Sequence, residues 1–414
     1  MERSTCRTLV AAWPGFGKPG NSGFPSLGRN FSGGLPSVFC AIEGLRRLED
    51  VLDGLQSLGL MPSWCFGLVT FELVPELIYS PGFYGLALLL SAALPALLSP
   101  FLAAVGVLVS VALLTLLERK VLASVQRRRG PDRVGPWGLL QPFADGLKLL
   151  SKETTVPAGS NRALFFTSPV GSLVISLLAW APMPAGPGLL VSDQEFGLIY
   201  ILAISSLNAY LVILGGWSGN SQYSLLGSLR AAAQLISYEV SIGLIALGTV
   251  LCTGSYSLSD IVVFQESIWL AVPLLPFLIL FYASMLAETS RPPFDLPEAE
   301  AELVSGYNVE HSAVSFALYF IAEYANLILA STLVCLLFLG GWTHPGWIGL
   351  WPSTALFELK VVLLLVASIL IRASYPRYRY DQLMGLGWKV FFPISVSAIT
   401  AVASGLFLLD GLPG

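Results

Sequence analysis

Histidine, cysteine spacing and charge are what this sequence lacks. Two histidines (His311, His344) and five cysteines (Cys6, Cys40, Cys65, Cys252, Cys335) are scattered without a C-x-x-C or H-x-x-H spacing. That leaves no iron–sulfur, zinc or bis-histidine haem site to argue for. If the chain takes part in redox chemistry, a partner must carry the metal centres. Only 12% of its 414 residues are charged, 55% are hydrophobic and the mean hydropathy is +0.73, whereas ordinary globular domains are about 25% charged. A soluble enzyme is thereby excluded, and the chain reads as an all-α, polytopic integral membrane protein.

Long apolar runs take the place of charge. Eight are near 20 residues or more, at 94–117, 163–183, 196–217, 231–252, 267–287, 312–342, 353–371 and 388–409, long enough to cross about 30 Å of hydrocarbon as helices. Alternating ten-residue strands are missing, so a transmembrane barrel is excluded and helices must satisfy the backbone in lipid. The cations then orient the bundle. Of 22 Lys and Arg, six precede residue 50 and Lys360 lies inside a run; the other 15 fall in or beside the connections after the first, third, fifth and seventh runs. The intervening connections hold none, so the basic loops face the cytoplasm or matrix and both termini face the opposite side.

Residues 1–82 read as an N-terminal extension and 83–414 as the transmembrane domain. The first 40 or so residues are rich in Arg, Ser, Gly and Pro with one acid, Glu2, a composition resembling an organellar transit segment. "GFGKPG" matches G-x-G-x-x-G in letters only, because no strand precedes it and Pro19 interrupts a helix start. Near 41–57, Ile42, Leu45, Leu48, Leu52 and Leu55 share one helical stripe, which predicts an amphipathic surface helix. The apolar region of 83–117 is long for one upright span and short for two; Pro95 and Pro100 favour one kinked or tilted helix. In the first basic loop, 135–153 sets Leu140, Phe143, Ala144 and Leu147 on one face and Asp145, Lys148 and Lys152 on another. This is the pattern of a helix lying along the membrane, as an anchor or as the border of a lipid-ligand gate.

Several charges sit where lipid penalises them. Glu239 and Glu323 lie within apolar runs, and Glu358 and Lys360 share a third. Each costs roughly 2.5 to 3.5 kcal/mol at bilayer depth, so such groups should face the interior, pair, or line water. Buried ion pairs fixing helix register are one reading; three carboxylates against one lysine suggest instead groups that exchange protons. The stretch "AETSRPPFDLPEAEAELVSG" (287–306) adds Glu288, Asp295, Glu298, Glu300 and Glu302 beside Arg291. A helix starting at Pro297 would use one or two acids near its N-terminus; five suggest a loop folded back on the bundle beside a chamber. "LLERKVLASVQRRRGPDRVGP" (116–136) supplies the opposite sign, either to hold topology against anionic lipid or to let Arg119 and its neighbours border a ligand site or dock a soluble subunit.

Five stretches together, "LLERKVLASVQRRRGPDRVGPWGLLQPFADGLKLLSKE", "LRAAAQLISYEVS", "LAETSRPPFDLPEAEAELVSGYNVE", "AEYAN" and "IRASYPRYRYDQLM", resemble the subunit 1 family of respiratory complex I, the proton-translocating NADH:ubiquinone oxidoreductase. The resemblance covers about residues 95–410. It implies eight transmembrane helices at the heel of a membrane arm, with flavin and iron–sulfur clusters on partner subunits, ubiquinone as substrate and no metal on this chain. By the same resemblance Arg119, Arg291 and Phe294 would border the quinone chamber. Glu118, Glu239, Glu288, Glu298, Glu300, Glu302 and Glu323 would form an acidic path toward the pumping subunits, with Asp295, Lys360 and Arg372 as charged neighbours. The implied partners are the soluble quinone-module subunits, neighbouring membrane-arm subunits and lipid, with no nucleic acid. The implied location is the mitochondrial inner membrane, with the termini on the intermembrane-space side. His311 stands where a Tyr is more usual, either as a satisfied polar residue or as a group tuning the adjacent path. Related subunits of membrane-bound hydrogenases and of the plastid NAD(P)H dehydrogenase-like complex are rivals within this class. A stand-alone cation/proton antiporter is a rival outside it, and that reading expects repeated halves, which are not found.

Overall fold

A computed structural model describes residues 81–188, 190–295, 306–343 and 353–408, with side chains from Leu98 onward except Ser353. The N-terminal extension, its amphipathic stripe at 41–57, Glu298, Glu300, Glu302 and His344 lie outside the described residues. The chain divides into two compact units, Met1–Leu88 and Leu89–Gly414, and the second holds the bundle.

All regular elements among the described residues are helical: α1 Pro81–Val125, α2 Gln141–Ser151, α3 Arg162–Leu178, α4 Gly197–Ser218, α5 Gln222–Thr253, α6 Leu258–Phe264, α7 Leu275–Glu288, α8 Ala313–Phe338, α9 Ser353–Ser374, α10 Tyr380–Leu386 and α11 Phe392–Leu408. A five-residue π-helical turn, Gly387–Phe391, joins α10 to α11. Each of the eight apolar runs coincides with a helix. Six are long enough to span a bilayer, and α3 and α7 are shorter apolar helices. The 81–125 segment is one helix rather than two, running through Pro95 and Pro100 for 45 residues, about 68 Å of rise.

Two runs are helical over less than their apolar length, for local reasons. The 267–287 run becomes helical only at Leu275, because Pro273 constrains the residue before it and Pro276 suits only a helix's first turn. The 312–342 run stops at Phe338, since Gly340 (φ 70°) and Gly341 (φ 48°) turn the chain into the left-handed region.

Helix α8 is the core of the bundle. Its sequence is apolar on every side, which suits burial rather than a half-wet surface, and 78% of its spanning window is buried against 11% for Tyr380–Leu408. Leu333, Val334, Leu336, Leu337 and Phe338 are sealed among Ile245, Ile261, Val262 and Phe281. Around it, α3 packs on α4 and α8, α4 on α5, α5 on α7 and α11, and α8 on α9. Outward-facing side chains on the other spans, such as Phe101, Leu102, Ile279, Leu363 and Phe407, are large, apolar and exposed. In lipid this is the expected finish of a bundle, not a fault.

At one end, α8 is closed by a polar latch. Gln265 donates to the Leu336 carbonyl (2.8 Å) and accepts from the Gly340 N–H (3.0 Å). Lys360 Nζ donates to the carbonyls of Leu339 (2.8 Å), Gly341 (2.9 Å) and Thr343 (2.9 Å) and lies 4.5 Å from the centre of the Trp269 ring. The helix C-terminus leaves carbonyls without intrahelical donors, and an ammonium satisfies both their lone pairs and the negative end of the dipole.

The predicted membrane-surface helix is α2. None of its residues is buried, and Phe143, Leu147 and Leu150 stand exposed. It lies beside α8 and is tied to α1 by Arg119–Asp145 at 2.7 Å.

Candidate functional site

Opposite the Lys360 latch, the C-terminal ends of α1, α7 and α9 meet the N-terminal half of α8. The segment after α7 is what brings charge inward. Gln234, fully buried on α5, donates its side-chain amide to the carbonyls of Ala287 (2.7 Å) and Phe294 (2.8 Å). That pair of bonds folds Ser290–Asp295 back onto the bundle and places Arg291 in its interior, where it is 5% exposed.

Arg291 bridges two carboxylates on different helices. Its Nη1 is 3.4 Å from Glu118 Oε1 on α1, and its Nε is 3.2 Å from Glu323 Oε1 on α8. The guanidinium also covers the Tyr324 ring at 4.2 Å, and the Tyr324 hydroxyl donates to Glu118 Oε2 at 2.5 Å. Arg372, at the end of α9, forms a salt bridge with Glu118 as well. Two cations and two carboxylates thus form one network, buried at Glu118 and Arg291 and more open at Arg372, in which each charge has a partner. A short way along, Asp295, 4% exposed, pairs with Arg377 at 3.1 Å.

The network opens onto an internal cavity of about 80 Å³ between α3, α4, α5, α7 and α8. Its polar lining includes Ser172, Ser205, Asn208, Glu288, Glu323 and Asn326. A void of this size has room for more than one water, and its polar groups are set in a lining that is largely apolar. Glu288, at the end of α7, lies within electrostatic reach of Glu239 on α5 and beside Ser205. Glu288 and Glu323 therefore line one cavity, Glu239 lies within electrostatic reach of Glu288, and Glu118 joins them through Arg291.

Other sequence-chosen residues are placed apart from it. Arg119 is half-exposed on the α1–α2 tie. Phe294 is packed in an aromatic cluster, stacked on Tyr378 at 5.6 Å and tilted against Tyr238 at 6.1 Å. Lys360 serves the α8 terminus and touches none of these carboxylates. Glu358, expected to pair or face inward, is exposed in the second turn of α9; it lies near the helix end rather than at mid-depth, so lipid does not force it inside.

Sequence reasoning missed Gln234, Tyr324, Tyr319 and the cavity's Ser172 and Asn208. Gln234 is a polar residue inside an apolar run, the same signal that singled out Glu239, and Tyr324 directly follows Glu323. The small polar residues carry no such signal. Among the described residues no group of three or more His, Cys, Asp or Glu could hold a metal ion.

Comparison with known proteins shows the family. The family model described as NADH dehydrogenase matches residues 98–403. The chain belongs to that family. Relatives of the NADH dehydrogenase family include "NADH-ubiquinone oxidoreductase chain 1" of Triticum aestivum, 55% identical over 309 residues, or 74% of this chain and 95% of that protein. The protein of the same name from Chondrus crispus is 53% identical over 309 residues, with the same shares. A bacterial relative, an NADH-quinone oxidoreductase subunit of Rhodospirillum centenum, is 50% identical over 315 residues, 75% of this chain and 93% of that protein. Glu118, Arg291, Glu323, Arg372, Glu239 and Glu288 all fall inside the family match.

Proposed function

We propose that this chain is the multi-pass membrane-arm subunit of a proton-translocating NADH:ubiquinone oxidoreductase of the mitochondrial inner membrane. In this reading it borders the ubiquinone site and couples quinone reduction to proton movement. The family and the names of its relatives support the enzyme and its substrate. In this reading flavin and iron–sulfur chemistry belongs to partner subunits, which the scattered placement of the chain's own cysteines and histidines supports. The basic loops face the matrix and the termini the intermembrane space, a reading supported by the placement of Lys and Arg.

The observation that carries the mechanism is Arg291 held between Glu118 and Glu323, with Glu323 lining the adjoining cavity beside Glu288. Quinone reduction consumes two electrons and two protons, so the charge beside this network changes during turnover. A unit charge about 4 Å away is worth about 4 kcal/mol at an effective dielectric constant of 20. That equals about three pKa units at a neighbouring carboxylate. Such a change is enough to shift Arg291 from equal sharing toward one partner and to alter the proton occupancy of the other. Glu288 and Glu239 hold the next positions, and their protonation states depend on each other and on Glu323. Glu298, Glu300 and Glu302 lie outside the described residues. No hydride or electron passes through the chain itself.

The test is Glu323→Gln in the intact complex. Quinone-linked NADH oxidation should fall at least tenfold while NADH:ferricyanide activity, which ends on the soluble arm, stays at the parental value. Parental quinone turnover in an assembled Glu323→Gln complex would refute the path. An antiporter acting alone would instead remain active as an isolated subunit in vesicles, and no internal repeat favours it.

A further inference from the structure

The cavity beside Glu323 changes character along its length. Near the basic loops its lining carries Ser172, Asn208, Glu288 and Glu323. Ten residues further along α8, about 15 Å of rise, it is bounded by Ala179, Ile201, Leu202, Leu329, Ala330 and Leu333, side chains without a polar atom. The packing of the helices keeps these levels together. Helices α3 and α8 both start at the basic-loop end, where Phe165 stacks on His311. Helix α4 runs the other way, its Asn208 accepting a hydrogen bond from Ser172 at 3.0 Å. Ala179 is seven residues beyond Ser172 and Ile201 seven before Asn208, so both fall toward the apolar end. Ile201 and Leu333 are sealed there, 1% and 2% exposed.

The hydroxyls beside Leu333 on α8 are spent on the helix itself: Ser331 donates to the Leu327 carbonyl (3.0 Å) and Thr332 to that of Leu329 (2.7 Å). Beyond Leu333 the polar latch begins. Gln265 donates to the Leu336 carbonyl, three residues on and only about 4.5 Å of rise away. One apolar layer, centred on Leu333 and Ile201, thus separates a cavity holding carboxylates from the polar groups that close the opposite end. Water stays in a cavity only where it finds two to four polar partners, and apolar voids stay dry. A constriction of this kind blocks passage by remaining dewetted.

We propose that the layer of Leu333, Ile201 and Ala330 is the proton seal of this subunit, keeping protons handled by Glu323 and Glu288 from escaping to the face opposite the basic loops. This rests on the proposed function of that cavity. A proton moves through a protein along water or titratable groups, and the layer offers neither. Protonation changes at Glu323 are therefore confined to the carboxylates around it, Glu288 and then Glu239, instead of draining along α8. The seal consumes no proton and binds no ligand; its work is to keep quinone chemistry coupled. Because it is about one helical turn thick, a single polar side chain within it joins the cavity to the latch.

The experiment uses the whole complex in sealed vesicles, with Leu333→Asn, the apolar control Leu333→Met and the Ile201→Thr/Ala330→Ser pair. A pH gradient is imposed without NADH and its decay followed with a pH-sensitive dye. Decay should be at least fivefold faster in Leu333→Asn and parental in Leu333→Met. Potassium permeability should stay parental in both, which a misfolded, leaky bundle would not show. Adding Glu323→Gln to Leu333→Asn should slow the decay again, since protons reach the opened layer through that carboxylate. If Leu333→Asn does not assemble, Ile201→Thr/Ala330→Ser, which places two hydroxyls in the same layer with little change of volume, takes its place. Tight vesicles with the assembled polar variants would overturn the proposal, as would an equal leak in Leu333→Met, a leak that also passes potassium, or one that Glu323→Gln leaves unchanged. Quinone-linked turnover of Glu323→Gln alone separates the two readings. Impaired turnover there with tight Leu333→Asn vesicles refutes the seal and leaves the acidic path standing. Parental turnover there refutes the path, and the seal with it.

Discussion

Two cations at opposite ends of the bundle, half-buried Lys360 and buried Arg291, show how a positive charge serves two purposes. Lys360 is held by three backbone carbonyls and an indole face. Arg291 is held by two carboxylates and a phenol ring. Backbone carbonyls neither titrate nor leave, so the lysine end is a fixed cap on α8. Carboxylates can take protons, so the arginine end is a network whose charge can be redistributed. A cation's role in a membrane bundle is thus read from what faces it, not from its presence in an apolar run.

The comparison breaks first at Arg291. Replacing it with Met leaves Glu118 and Glu323 facing each other in the interior, and removing one partner of a buried pair costs about 3 to 5 kcal/mol. Loss of assembled complex on native gels is the expected outcome, and an assembled, pumping Arg291→Met complex would remove the network from the account. Lys360→Met should be milder and different in kind. Losing the cap on three carbonyls costs about 2 to 3 kcal/mol, read as a lower melting temperature, while protons pumped per electron stay at the parental ratio. A changed ratio would move Lys360 from cap to charge path.

His311 sharpens the contrast through pH. Its folded pKa, down at about 4, lies below the unfolded value of about 6.5, so between these values the unfolded chain binds a proton that the folded one refuses. Folding therefore loses stability as pH falls through that window, by about 2 kcal/mol at pH 5. His311→Phe should flatten the drop in melting temperature between pH 7 and 5; an unchanged slope would contradict it. The smallest effect belongs to Arg119→Ala. Its pair with Asp145 is half-exposed and worth less than about 1 kcal/mol, detectable as a small, salt-sensitive loss.

Much of the fold is legible in the sequence because lipid imposes simple rules. Eight apolar runs predict eight helices, and each coincides with one. The ends of 267–287 and 312–342 are less legible: Pro273, Pro276, Gly340 and Gly341 act through backbone geometry that hydropathy does not register. At the site, residue types can be read and pairings cannot. Glu118 and Arg372 are 254 positions apart, and nothing local joins them. Lys360 reads as a path residue because sequence shows a charge but not the carbonyls around it. Ser172, Ser205 and Asn208 are ordinary small residues in a membrane helix until packing places them around a void.

The central claim is that carboxylates around one cavity transmit quinone chemistry as proton movement. The most direct measurement is the number of protons translocated per NADH oxidised in vesicles carrying Glu239→Gln or Glu288→Gln complexes. The account predicts assembled particles with parental NADH:ferricyanide activity and little or no quinone-linked proton uptake. Full pumping at the parental ratio in both variants would contradict it.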